Sequence, residues 1–126
     1  MANYKDLKVY EKSYAAALEV YRLTKDFPKD ETFGLVGQLK RAATSIPLNI
    51  AEGYGKRGSE AEFKRFLSMS LGSSDEMRVL INFSHDLGYI KEDVYQALSV
   101  KYDEIGKDAD RHAKELAHVS EWRKQI

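Results

Sequence analysis

The sequence predicts an all-α protein, an antiparallel up-down-up-down four-helix bundle. Three observations carry this. Four stretches repeat apolar residues at three- and four-residue steps. The connections between them are short, which sets neighbouring helices antiparallel. No stretch shows the two-residue alternation of a half-buried strand. A chain of 126 residues, 43% hydrophobic and 32% charged, is expected to form one domain over residues 1–126 with a core of its own.

The first helix is expected from about Tyr4 to Asp26. Leu7, Tyr10, Tyr14, Ala17, Leu18 and Tyr21 fall on one stripe at 100° per residue. Val9, Ala16, Val20, Leu23 and Phe27 fall on a second stripe, well around the cylinder. A surface helix needs an apolar stripe only about 100° wide. Either this helix is central, or one stripe faces the core and the other a second subunit. The second stripe, Val9, Ala16, Val20, Leu23 and Phe27, is assigned to the oligomer interface, although either stripe would serve as the outer one. Phe27-Pro28-Lys29-Asp30 ends the helix, and Asp30 or Thr32 can cap the next.

The second helix occupies Gly34 to about Gly53. Leu35, Leu39, Ala42, Ile46 and Ile50 form its apolar face. Pro47 interrupts that face. It lacks the N–H that would bond back to Ala43, so a kink or break is expected there. Gly53-Tyr54-Gly55-Lys56-Arg57-Gly58 reads as a loop. It matches G-x-G-x-x-G by letter, but a helix precedes it where a dinucleotide fingerprint needs a strand. Its glycines and its Lys-Arg pair suit the close passage of a phosphate backbone.

The third helix starts on Ser59 and Glu62, a capping box, and runs to about Asp86. Ser68 to Ser74 is rich in small residues that are poor helix formers. Close approach of another helix is the expected reason, with Gly72 at its centre. Leu87-Gly88-Tyr89 reads as a glycine C-cap. The fourth helix runs from about Lys91 to Trp122. Val94, Leu98, Ile105, Ala109, His112, Leu116 and Val119 form its single stripe, which marks an outer, solvent-facing helix.

Composition excludes several functions. There is no cysteine, hence no disulfide, thiolate nucleophile or cysteine metal site. No apolar run approaches the roughly 20 residues that cross a bilayer. The first residues hold no signal-peptide core, so a cytoplasmic location is expected. Glu115 and His118 form Glu-x-x-His, but Asn82 before His85 and Ala109 before His112 supply no second copy of that di-metal unit. His118 is read as a surface residue, and Asp108 as a partner of His112 at i,i+4. Glu52 pairs most economically with Arg41 or Arg57. No catalytic constellation surrounds any serine or carboxylate, so no enzyme, cofactor or metal is expected.

The formal net charge is zero, from 20 basic and 20 acidic residues. Its distribution is uneven: residues 34–66 carry six basic against three acidic residues, or +3. Lys40, Arg41, Lys56, Arg57, Lys64 and Arg65 are therefore the candidate phosphate contacts, with Tyr54 as a stacking surface. The competing reading is a solvated face of intrachain ion pairs.

Three motifs point to a family. They are Thr24 to Pro28 (TKDFP), Gly34 to Gly53 (GLVGQLKRAATSIPLNIAEG) and Phe66 to Met77 (FLSMSLGSSDEM). Over roughly its first 90 residues the chain resembles the four-helix-bundle proteins encoded in intervening sequences of bacterial large-subunit ribosomal RNA genes. More distantly it is similar to the accessory variability proteins of diversity-generating retroelements. Lys40 stands where many members carry arginine, and Pro47 where a polar residue is usual. The resemblance implies a ring-shaped homopentamer that binds RNA or DNA without catalysis. The alternative partner is a protein such as a polymerase, docked on an oligomeric scaffold.

Overall fold

A computed structural model describes the backbone of residues 3–125 and the side chains of residues 3–114. The described residues form four α-helices, α1 (Lys8–Leu23), α2 (Leu35–Gly55), α3 (Glu60–Asp86) and α4 (Glu92–Gln125), with short 3-10 turns before α1 and between α1 and α2. They pack as an antiparallel bundle, tightest between α2 and α3 and between α3 and α4, loosest between α1 and α4. Each helix buries one apolar stripe at three- and four-residue steps, as burial of a helix face requires. Val9 and Val20 from α1, Ile46 and Ile50 from α2, Met77 and Ile81 from α3, and Leu98 and Ile105 from α4 meet in the centre.

The helix ends follow local chemistry. The Ser59 hydroxyl accepts the Glu62 N–H at the start of α3. Only half of the expected box forms, because Glu62 turns to Arg65 at 3.0 Å. At the other end Tyr89 N–H reaches Ser84 O at 2.8 Å and Gly88 N–H reaches His85 O at 2.9 Å. Gly88 sits at φ +80°, so these bonds close the expected left-handed cap. The start of α2 departs from expectation. Neither Asp30 nor Thr32 caps it: the Thr32 hydroxyl donates back to Lys29 O, and Gly34 is the N-cap without a side-chain bond.

Pro47 does not break α2, which continues to Gly55. The lost N–H leaves one carbonyl without its usual donor. Nearby side chains tie the helix on either side: Asn49 Nδ2 donates to Ser45 O at 2.8 Å, and Ser70 Oγ from α3 donates to Ile46 O at 3.0 Å. Helix therefore replaces the front of the expected loop, leaving Lys56 to Ser59 as the connection.

The small residues of α3 do admit neighbouring backbones, through the serines. Ser70 and Ser74 are buried, and Ser74 Oγ donates to Tyr102 O on α4 at 3.0 Å. Ser45 and Ser73 touch across α2 and α3. Gly72 plays no part in this. It is exposed, and a Cβ placed there meets nothing within 4 Å. The close approaches fall instead at Gly53, where a Cβ lies 2.8 Å from Phe66 Cβ, and at Gly106, 3.4 Å from Ser74 Oγ. A mid-helix glycine costs about 1 kcal/mol relative to alanine, and the single chain gives Gly72 no packing reason.

Two polar clusters tie α4 to its neighbours. Asp108, 7% exposed, accepts from Lys12 Nζ at 2.8 Å and Arg111 at 3.0 Å. Burial alone would raise its carboxyl, but Lys12, Arg111 and the nearby His112 hold it below the usual range. The hydrogen bonds to the carboxylate come from Lys12 and Arg111, and His112 makes none to it. The Glu115–His118 pair lies outside the described side chains.

The second cluster joins the ends of α3 and α4. His85 faces Asp86 at 3.0 Å through Nδ1 and Glu92 at 2.6 Å through Nε2, and it stacks on Tyr95 at 4.1 Å. Hydrogen bonds to Asp86 and then Glu92 raise its pKa above 6.5. Bonds from Gln96 and then His85 lower that of Glu92 below 4.5. The raised group stabilises the fold fully below pH 6.5 and loses that contribution as pH climbs through its folded value. The lowered one contributes above pH 4.5 and fails as pH falls through its own. The cluster therefore stabilises most between those limits. The melting temperature of the parent should fall between pH 6 and pH 8.5 more than that of His85→Gln, measured by circular dichroism.

Candidate nucleic-acid interface

Seven residues were expected to meet nucleic acid, and the fold divides them into two groups. Lys56, Arg57, Lys64 and Arg65 gather with Tyr54 around the connection between α2 and α3. Lys40 and Arg41 lie fifteen or more residues earlier on α2, about 22 Å away along its axis. No single surface at one end of the bundle holds all six cations.

The corner is built on Gly53. Without a side chain there, α2 and α3 close until Phe66 fills the gap, and Phe66 is 5% exposed. Lys56 Nζ lies 5.1 Å above the Phe66 ring, and Arg65 4.6 Å from it. The Arg57 guanidinium lies 4.2 Å over the Tyr54 ring and donates to Tyr54 O at 2.9 Å. Arg57 is therefore not a partner of Glu52, which points into solvent. The Tyr54 ring also meets Phe63 edge-on at 6.4 Å. Cations over aromatic faces keep their charge while their stems cover apolar surface.

The four cations differ in availability. Lys64 pairs with Glu60 at 2.9 Å, and Arg65 with Glu62 at 3.0 Å. The Arg65 hydrogen bond, followed by its charge, lowers the Glu62 carboxyl. These two match the competing reading of a solvated, paired face. Among the described residues Lys56 and Arg57 make no ion pair. Residues 53–66 carry four basic residues against two acidic ones, a local +2.

Lys40 sits elsewhere in a different setting. Its Nζ is 4.9 Å from the Tyr21 ring, at the edge of a groove of about 440 Å³ between α1 and α2. Tyr10, Tyr14, Leu18, Tyr21, Pro47 and Leu48 line this groove. The interface assignment on α1 is corrected here. Val9, Ala16, Val20 and Phe27 are buried within the chain, and half-buried Leu23 packs on the same core. The four buried ones have no surface to offer a second copy. The other stripe is the one that reaches solvent, with Tyr14 at 51%, Leu18 at 43% and Tyr21 at 41% exposure, although Ala17 on it is buried and Leu7 and Tyr10 pack on the core. The signal was present in the sequence as the more aromatic of the two stripes: tyrosine tolerates water at its hydroxyl, whereas Val9, Val20 and Phe27 do not.

Among the described residues no group of three or more His, Asp or Glu side chains could hold a metal ion. None of their helices is long and apolar enough to cross a membrane.

Comparison with known proteins fits this architecture. No curated protein matches the chain. Among solved structures it is similar to a protein of unknown function from the S23 ribosomal protein family of Bacteroides thetaiotaomicron VPI-5482. The two are 27% identical, with a TM-score of 0.78 over 87% of this chain and 98% of that one. The family model described as 23S rRNA-intervening sequence protein matches residues 5–110. That span includes α1, α2 and α3, the first part of α4, the Gly53 corner and every candidate cation, and the chain belongs to the 23S rRNA-intervening sequence protein family.

Proposed function

We propose that this is a non-catalytic, cytoplasmic, self-assembling protein that binds the RNA or DNA backbone through the corner between α2 and α3. The observation that carries this reading is the state of Lys56 and Arg57. Both are exposed, both rest on aromatic rings, and neither has a carboxylate partner among the described residues. A phosphate is the complementary ligand for such a pair, and the Tyr54 and Phe63 rings beside it suit an unpaired base. Self-assembly supplies what one chain lacks. A local +2 on a neutral protein becomes a repeated field when copies surround an axis. The number five for that assembly rests on the family resemblance alone.

Titration of labelled single-stranded RNA and DNA across a salt series tests the reading. Affinity should fall as salt rises, because each neutralised phosphate releases condensed counterions. Lys56→Gln/Arg57→Gln should weaken binding and flatten the log–log salt slope by about 0.7–0.9 per lost contact. Lys64→Gln/Arg65→Gln should change it less, since those cations already have partners. Exposed charges contribute little to stability, so the fold should survive. An assembled, folded Lys56/Arg57 variant with the parent's affinity and slope would refute the assignment. Absence of binding by the parent at low salt would leave the oligomeric adaptor as the better reading.

A further inference from the structure

The face that Tyr54 would offer to a base is already taken. The Arg57 guanidinium lies over the ring, 4.2 Å from its centroid, and Phe63 meets the same ring edge-on at 6.4 Å. Arg57 is pinned a second time, by the hydrogen bond that it donates to Tyr54 O at 2.9 Å. Tyr54 is half-buried in the last turn of α2, one residue after the Gly53 contact that closes α2 on α3. A surface arginine ordinarily samples many rotamers, and ordering it on binding costs entropy. Here the ring and the carbonyl have ordered it beforehand. The fold thus uses a tyrosine to aim an exposed cation that has no carboxylate partner among the described residues.

A guanidinium has two kinds of surface. Its flat faces stack on aromatic rings, and its edge carries five N–H donors. In Arg57 one face lies on Tyr54 and one donor is engaged by Tyr54 O. The opposite face and the other donors are open to a ligand. A ligand that matches both is flat and aromatic in one part and anionic in another, which describes a nucleotide's base and phosphate. A carboxylate or inorganic phosphate would use the edge and leave the face bare. The base must be unpaired, because within a duplex each base is already stacked on its neighbours. Lys56 stands over a different ring, that of Phe66, at 5.1 Å. An ammonium has no face to stack, so a phosphate is its match.

The backbone on both sides of this pair is bare. A Cβ at Gly55 or at Gly58 would meet nothing within 4 Å, and neither glycine has a positive φ. The single chain gives them neither a steric nor a conformational reason to be glycine, and Gly55 weakens the end of α2. Clearance for a strand passing over Lys56 and Arg57 supplies that reason.

We infer that this corner takes one unpaired nucleotide, its base stacked on the outer face of the Arg57 guanidinium and its phosphate held by Lys56 and the edge of Arg57. The inference rests on the nucleic-acid reading above and narrows it to single strands. Tyr54 is then a positioning residue: it backs and aims Arg57 without touching the base.

Fluorescence anisotropy with labelled oligonucleotides tests this. A single strand, its abasic counterpart and the corresponding duplex are titrated at matched salt, in RNA and in DNA. The abasic strand keeps every phosphate, so the affinity lost on going to it reports the bases alone. The parent should bind the intact strand about five- to 150-fold more tightly than the abasic one, the usual contribution of one stacked base. RNA and DNA should show the same gap, because the stack reads a base and not a sugar. Arg57→Lys keeps the charge and loses the plane. It should erase the gap while leaving the salt slope and the duplex affinity unchanged. Tyr54→Phe keeps the ring and should keep the gap; Tyr54→Leu, with parent-like circular dichroism, should shrink it. Equal affinity of the parent for intact and abasic strands, or a full gap in Arg57→Lys, would overturn the stack while leaving phosphate binding standing. Failure of the parent to bind any probe at low salt would overturn both.

Discussion

Gly53→Val should destabilise the protein by about 3 kcal/mol, at the upper end of the usual cost of overfilling a packed core. The reason is geometric. The first side-chain atom at this position would stand 2.8 Å from Phe66 Cβ and 3.5 Å from Phe63 O. Neither neighbour is the free end of a flexible chain. One is attached directly to the α3 backbone and the other is part of it, so relief requires moving a whole helix. The gain in helix propensity on leaving glycine, about 0.5–1 kcal/mol at best, is too small to offset that. Gly55→Ala is the control: it lies two residues on in the same helix, and a Cβ there meets nothing within 4 Å. Chemical unfolding of both variants at one fixed protein concentration, as the proposed self-assembly requires, should show a large loss for the first and little change for the second. Equal midpoints for parent and Gly53→Val would show that the corner is loose. The same variant reports on function, because displacement of Phe66 moves the ring beneath Lys56 and Arg65.

The helices were legible because their signals are local and periodic. Ser59 and Gly88 cap where capping chemistry places them, and the stripe of α2 and, over its described side chains, that of α4 point inward as their spacing dictates. What the sequence left open was any choice between two equally good apolar faces. Both stripes of α1 have the right period, and only the neighbouring helices decide which is buried. Gly72 failed for a related reason. Glycine among serines suggests close packing, but the helical phase places Ser70 and Ser74 inward and Gly72 outward. The candidate site was legible as charge and not as geometry. Counting residues 34–66 gave six cations, whereas the length of α2 separates Lys40 and Arg41 from the rest. Carboxylates one turn away on α3 take up Lys64 and Arg65. Tyr102 was missed although the step from Leu98 through Tyr102 to Ile105 is helical. A tyrosine usually keeps its hydroxyl at a partner or in water, so the residue type does not mark a central position.

Tyr102→Phe should stabilise the protein by about 1–3 kcal/mol at neutral pH, the cost of a buried polar group without a partner. Tyr102 is completely buried between helices, and its hydroxyl has no hydrogen-bond partner among the described residues. Its carbonyl is used, by Ser74, so the backbone there is satisfied and only the phenol is not. Burial, followed by the charge of Glu19, pushes its pKa well above the ordinary value of 10.0. The sign of the pH effect follows. Below pH 10 the phenol is neutral in both states and its ionisation does not affect folding. Above pH 10 the unfolded chain loses the proton while the folded one keeps it. Stability then falls by about 1.4 kcal/mol per pH unit until the raised folded value is reached. Phenylalanine removes both the unpaired hydroxyl and this titration. The advantage of the variant should therefore be constant from pH 6 to pH 9 and widen above pH 10. Tyr10 and Tyr89, whose pKa values are also raised, remain in both proteins and cancel in the comparison. Denaturant midpoints of parent and variant at pH 7 and pH 11 decide the matter. A variant less stable than the parent at pH 7, or a gap that does not grow at pH 11, would mean that the hydroxyl is satisfied in solution.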